Sequence, residues 1–213
     1  RDSVASRGLG DVYKRQMFAR ETDVLRKSDE ELLKLKELGM DRLCLGLESG
    51  SDEVLEFHKK GHTVHDSILA TRKLDRLGIK YSTYFMLGLG GENMTMSHRC
   101  ETAKLLNEIH PFEVVFVTTV IFKRAPLKDY VRNKSFIRMS VKEILEEEIY
   151  IIENLNMDTI IKATHKTNPI PLQAKFPEGK EIFLRKLRDY YDSNDEKSLV
   201  KNEMKKWKIW DKE

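Results

Sequence analysis

Cysteine is nearly absent from this chain: Cys44 and Cys100 are its only two in 213 residues. They lie far apart and match neither a disulfide framework nor a metal-ligand spacing, so both read as reduced core thiols, which favours a cytoplasmic setting. Long apolar runs are missing as well. None approaches the ~20 residues of a membrane span. A strong charge of one sign is also lacking, since 38 Lys and Arg oppose 35 Asp and Glu for a formal +3, and nothing in that balance demands nucleic acid. What remains is 40% hydrophobic and 34% charged, the profile of a soluble globular chain of roughly one domain.

An initiator Met is also missing. Residues 1–16, RDSVASRGLGDVYKRQ, show no apolar periodicity, and RGLGDVYKRQ resembles a translated sequencing-adapter tail. They are expected to be a non-native leader outside the fold. Four basic residues there (Arg1, Arg7, Lys14, Arg15) face two acids (Asp2, Asp11), which leaves the rest near +1. Native sequence is expected to begin near Met17, already inside a domain.

From there, helix and strand signals alternate as in a parallel sheet with crossover helices. Ser28 and Glu31 form a capping box, Leu32, Leu35 and Leu38 a stripe, and Gly39 a natural C′ residue, predicting a helix over 29–38. In RLCLGLE, Leu43, Leu45 and Leu47 take one face while Cys44, Gly46 and Glu48 take the other. In a barrel the leucines would face the helical ring, and Glu48 would stand at the top of the lumen beside Gly46. Ser51 is expected to cap a short helix with Asp52 and Glu53 in its first turn. A second helix runs from about Val64 through Ala70, Leu74 and Leu77 to Gly78. IKYSTYFML reads as a strand buried on both faces, residues 96–109 as a helix, and Phe112–Thr119 as the next strand. ARETDVL, before Lys27, reads as the end of a further strand.

Beyond Pro126 the pattern becomes helical with short extended pieces. Ser140 and Glu143 open a helix carrying Val141, Leu145, Ile149 and Ile152. MDTIIKA suits a strand, THKTNPIPLQAKFPEGK a long surface loop, residues 181–191 a helix, and KNEMKKWKIWDKE a charged end helix or frayed tail.

Two successive strands, LGLESGSDEVL and YFMLGLGGEN, break into Gly and Glu where a helix should begin. This places bare backbone and carboxylates at the mouth of an α/β sheet, where such folds bind ligands. Gly88, Gly90 and Gly91 let backbone amides approach a ligand. Glu48 and Glu92 accept from hydroxyls and amines but repel phosphate. A tight strand-to-helix turn accounts for one such exit equally well.

Over residues 17–130 these blocks, with KKGHTVHDSI between them, resemble strands three to six of the radical S-adenosylmethionine (radical SAM) catalytic domain. The resemblance implies an α/β fold: a partial (β/α)6 TIM-like barrel over 17–130, followed by a mostly helical C-terminal extension over 131–213. It implies S-adenosyl-L-methionine and a [4Fe-4S] cluster as cofactors, and cleavage of the former to a 5′-deoxyadenosyl radical that takes hydrogen from a substrate. It maps the ribose contact to Glu48 with Ser49, the methionine and adenosine flank to Gly88, Gly90 and Glu92, and the adenine end to the neighbourhood of Thr119 and Val120. A small-molecule or tRNA substrate and a reductant such as flavodoxin or ferredoxin follow from the same resemblance, and no membrane does. THKTNPIPLQAKFPEGK also resembles the NH-x-SN-x-x-PL block of one subgroup of these enzymes.

The departures are equally specific. The family's CxxxCxxC cluster motif lies upstream of everything in this chain, and Cys44 and Cys100 cannot substitute for it. Lys123, Arg124, Ala125, Pro126 and Leu127 stand where relatives often read Pro-Gly-Thr-Pro-Leu. The chain is therefore expected to be the C-terminal part of an enzyme, inactive alone, with an open strand edge and an exposed lumen that favour self-association. Two other patterns compete with this one. His58 and His62 have the i, i+4 spacing of zinc ligands, but Gly61 lies between them. Lys201, Lys205, Lys206 and Lys208 interleave with Trp207 and Trp210 in a pattern compatible with RNA binding or modification.

Overall fold

The computed structural model describes residues 15–195 together with Ser198 and Leu199. The element order is β1 (Arg15–Ala19), α1 (Glu21–Arg26), α2 (Asp29–Glu37), β2 (Met40–Glu48), α3 (Asp52–Phe57), α4 (Val64–Arg76), β3 (Lys80–Leu87), α5 (Gly91–Glu108), β4 (Glu113–Thr118), α6 (Leu127–Arg132), α7 (Val141–Glu153), β5 (Thr159–Lys162), β6 (Gln173–Phe176) and α8 (Lys180–Ser193). The strands form one sheet in sequential order, parallel from β1 to β5, with β6 antiparallel to β5. This is the α/β partial barrel expected, with β1 to β4 in the places of strands three to six.

Capping chemistry sets the helix starts. Ser28, Thr63 and Ser140 each accept from the backbone N–H three residues on, while Glu31, Asp66 and Glu143 reach back to the cap N–H. Gly39 leaves α2 at φ +94°, where a side chain would be strained. The alternation in β2 works as its sequence demands. Leu43, Leu45 and Leu47 are at most 2% exposed and belong to the core between sheet and helices, whereas Cys44, Gly46 and Glu48 line a cleft on the other face. Tyr81, Phe85, Leu87, Val114, Phe116 and Ile161 continue that core. The lumen side of β3 is less covered than expected, because Tyr84 and Met86 remain half-exposed.

Three expectations need correction. ETDVL is helix α1, with Glu21 and Asp23 in its first turn, Arg26 in its last and Val24 buried; the strand ends earlier, at Ala19. Ser51 makes no capping bond, because its hydroxyl is taken by Ser97 at 2.6 Å. THKTNPIPLQAKFPEGK is not simply a surface loop, since Gln173–Phe176 alternates as a strand and Asn168 is 1% exposed.

Asn168 extends the sheet without backbone. β5 stops pairing with β4 at Val115, and above that point the Asn168 amide donates to Phe116 O at 2.8 Å and accepts from Thr118 N–H at 2.8 Å. Those are the two groups that a neighbouring strand would engage.

β5 and β6 thus carry the barrel's sheet into the extension, and α6 spans residue 130. β1 takes in Arg15 and Gln16 and, among the described residues, is an edge strand with Phe18 80% exposed. The lysine- and tryptophan-bearing tail, including Lys201, Lys205, Lys206, Lys208, Trp207 and Trp210, lies outside the described residues, as does most of the proposed leader. No described helix is long and apolar enough to cross a membrane.

Candidate functional site

The exits of β1 and β2 bound a cleft of about 570 Å³, lined by Phe18, Ala19, Glu21, Glu48, Lys60 and His62 among others. Glu48 is the last residue of β2 and has φ +63°, a left-handed turn uncommon for a residue with a side chain. Gly46 leaves space beside it, because a Cβ there would stand 3.4 Å from Glu48 Oε1. Lys60 pairs with the Glu48 carboxylate, and both are about one-quarter exposed.

Glu21 forms a second wall. Its Oε2 is 3.5 Å from His62 Nδ1, with both side chains almost wholly buried. The other ring nitrogen, Nε2, lies 3.4 Å from Leu47 O. Burial raises the Glu21 pKa against the opposing pull of His62 and its own backbone hydrogen bonds. Its Oε1 is buried with no hydrogen-bond partner among the described residues. At the far end of the lumen, Arg42 and Lys162 both pair with Glu113, and Ser82 donates to it at 2.9 Å. Burial alone would raise the Glu113 pKa, but the Lys162 and Ser82 hydrogen bonds and the Arg42 charge hold it below the usual range.

The turn that aims Glu48 is fastened from behind. Ser49 Oγ lies 2.8 Å from His98 Nδ1, Gly50 N–H donates to Thr102 Oγ1 at 3.0 Å, and Ser51 meets Ser97. Thus SGS docks on α5, and Ser49, fully buried, faces that helix rather than the cleft. The exit of β3 is similarly closed. Gly88 N–H donates to Glu147 of α7 at 2.7 Å, and a Cβ on Gly88 would meet Ile144 at 3.3 Å. Gly90 packs on Met94 and His98. Glu92 is exposed, and its N–H donates to Ile137 O. Thr119 bridges to β3 through its N–H, donated to Leu87 O at 2.8 Å, and its Oγ1 is buried without a partner among the described residues. Val120 is half-buried. Of the expected contacts, Glu48 alone joins the cleft lining, and the others sit at neighbouring exits.

Glu21, Lys60 and His62 were not singled out as cleft residues by sequence. Only the position of Glu21 just past a strand could have pointed to it. His58 and His62 part company: His58 Nε2 meets Leu89 O at 2.7 Å, and burial lowers its pKa. No group of three potential metal ligands occurs among the described residues. The residues described therefore do not fit an iron–sulfur cluster, and no step is derived through one. They do fit a polar nucleoside, since the unpartnered Glu21 oxygen and the Glu48 carboxylate offer acceptors to hydroxyls and an amine across one cleft.

A family model described as the Radical SAM superfamily matches residues 14–106. The chain is 27% identical over 175 residues to the tRNA uridine(34) acetyltransferase of Methanocaldococcus infernus, covering 76% of this chain and 33% of that protein. Its namesake from Methanocaldococcus jannaschii is 39% identical over 71 residues, 33% of this chain and 13% of the relative. The chain therefore spans a third or less of the length of these relatives. The solved structure of archaeal M. infernus Elp3 with an N-terminal deletion superposes with a TM-score of 0.61 at 20% identity, covering 83% of this chain and 42% of that one, which shows the shared fold. Residues 14–106 match the radical SAM superfamily, and the relatives and the shared fold agree with that match.

Proposed function

We propose that this chain is the C-terminal wall of the catalytic barrel in a cytoplasmic radical SAM enzyme acting on tRNA, and that Glu48 holds the sugar of S-adenosyl-L-methionine. The observation that carries this reading is the left-handed turn at Glu48, which presents a carboxylate to the same cleft as the buried, unpartnered oxygen of Glu21. Glu48 accepts from the ribose hydroxyls, Lys60 holds its carboxylate until ligand arrives, and His62 orients Glu21. Thr119 Oγ1 offers a polar contact toward the adenine end, beside Val120. Gly88, Gly90, Ser49 and Glu92 shape the mouth through the turns they form. When bound, the cofactor and a [4Fe-4S] cluster held outside the described residues supply a 5′-deoxyadenosyl radical for hydrogen abstraction, so the residues here bind and orient. The similarity to two tRNA uridine(34) acetyltransferases supports an RNA substrate.

Calorimetric titration of the full chain with S-adenosylhomocysteine tests the cleft. Binding weakened at least about tenfold by Glu48→Ala is expected from losing a charge-assisted contact. No binding, or equal binding by the variant, overturns the assignment.

A further inference from the structure

Within residues 122–138 stand six cations, Lys123, Arg124, Lys128, Arg132, Lys134 and Arg138, against one acid, Asp129. The segment carries +5 in a chain whose formal total is +3, so all other residues together sum to −2. Every one of the six is exposed. Lys128 and Arg132 stand at i, i+4 on the short helix α6, an arrangement of like charges that is mutually repulsive. The one acid in the segment pairs with Arg132 at 3.5 Å with both side chains about three-quarters exposed, a weak surface pair.

This strip is anchored beside the cleft. Phe57 of α3 packs against Tyr130 and Phe136 at ring distances of 5.3 and 6.0 Å, and His58 packs against Phe136 at 5.7 Å. The next residues, Lys59 and Lys60, line the cleft that holds Glu48. An aromatic stack therefore joins the cleft rim to the basic strip. Phe122 begins the strip 54% exposed, an aromatic platform next to cations, which is the pairing that engages bases alongside phosphates.

We propose that residues 122–138 form a docking ridge for the phosphate backbone of an RNA substrate, delivering it to the cleft at Lys59 and Lys60. This rests on the RNA part of the proposed function but not on Glu48 binding a nucleoside. Charge complementarity carries it, because counterion release from a polyanion favours a concentrated strip over scattered charge.

The test is fluorescence anisotropy of the full chain with a labelled tRNA transcript over a series of KCl concentrations. Arg124→Gln, Lys128→Gln and Arg132→Gln combined are expected to weaken binding across RNA sequences alike and to lower the log–log salt slope by about 2 to 3. A matched variant with Lys201, Lys205, Lys206 and Lys208 changed to Gln is expected to retain most of that slope. The three ridge positions are exposed, and an unchanged urea midpoint confirms that the fold is intact. The ridge is overturned if the ridge variant keeps wild-type affinity and slope, if the tail variant alone abolishes binding, or if the chain binds anionic phosphatidylserine vesicles but no RNA. S-adenosylhomocysteine binding, read separately, stays at its wild-type value in the ridge variant, so failure of the ridge and failure of the nucleoside cleft give different results.

Discussion

Ser49 Oγ and His98 Nδ1 stand 2.8 Å apart with both side chains at most 1% exposed. Met86 O can only accept, so His98 Nε2–H donates to it at 3.0 Å; in the neutral ring Nδ1 is then the acceptor for Ser49 Oγ–H, while Ser49 Oγ accepts from Ser51 N–H. One imidazole thereby ties the exit of β2 to that of β3. His98→Ala leaves Ser49 and Met86 O short of partners and opens a cavity, so it is expected to cost about 2–4 kcal/mol in urea unfolding. It should also weaken S-adenosylhomocysteine binding by loosening the turn at Glu48. A variant as stable as wild type would show that the bond holds nothing.

Asn168→Ala removes the amide that completes β4. Phe116 O and Thr118 N–H would be stranded in the interior, at an expected cost of about 2–4 kcal/mol. Asn168→Asp is expected to destabilise too, since it offers Phe116 O an acceptor in place of a donor. A shift in urea midpoint within error for either change contradicts the strand-mimic role.

Glycines at the two ends of β2's surroundings should respond differently. A Cβ on Gly50 would lie 2.3 Å from Glu101 O, a backbone atom that cannot turn aside, whereas one on Gly39 meets nothing within 4 Å. Gly50→Ala is expected to cost about 3 kcal/mol or more, and Gly39→Ala only the left-handed penalty of about 1–2 kcal/mol. Thermal and urea unfolding of the pair check the order, and a reversed ranking would contradict the close docking of β2's exit on α5.

Glu148 is fully buried in α7 with neither carboxylate oxygen partnered among the described residues. Burial, and secondarily the Glu147 charge, pushes its pKa up to about 8 from 4.5. The folded state thus holds a proton that the unfolded chain releases, and stability falls as pH rises from about 4.5 to about 8. The slope approaches about 1.4 kcal/mol per pH unit. The raised Glu21 acts in the same direction, while the lowered Glu113 stabilises above its unfolded pKa and loses that contribution as pH falls toward its folded value. Urea midpoints between pH 5 and 8 should decline for wild type and flatten for Glu148→Gln; parallel curves would rule out Glu148 as the source.

Local chemistry made much of the fold legible. The Ser28, Ser140 and leucine patterns placed helices and the inward face of β2 because caps and two-residue alternation act over a few neighbours. Glu48 was legible for the same reason, as a carboxylate ending an alternating strand. What stayed hidden depends on partners distant in sequence. Asn168 pairs with β4 across 50 residues and Glu147 with Gly88 across 59, so the Pro-rich stretch read as surface and Glu147 drew no reading at all. The glycines after β3, read as an opening for ligand, also leave room for α7 and the chain around Ile137, which the sequence did not reveal.

Sequential strand order also fixes when each part of the mouth can form as the chain emerges. β2, β3 and α5 suffice to dock the SGS turn, so Glu48 acquires its orientation from contacts made early. The covering of Gly88 waits for α7, which lies within the longest crossover, between β4 and β5. Loop closure across that distance carries the larger entropy cost. A nascent molecule therefore passes through a stage in which the turn at Glu48 is set while the neighbouring exit still gapes, and maturation narrows the entrance from one side only.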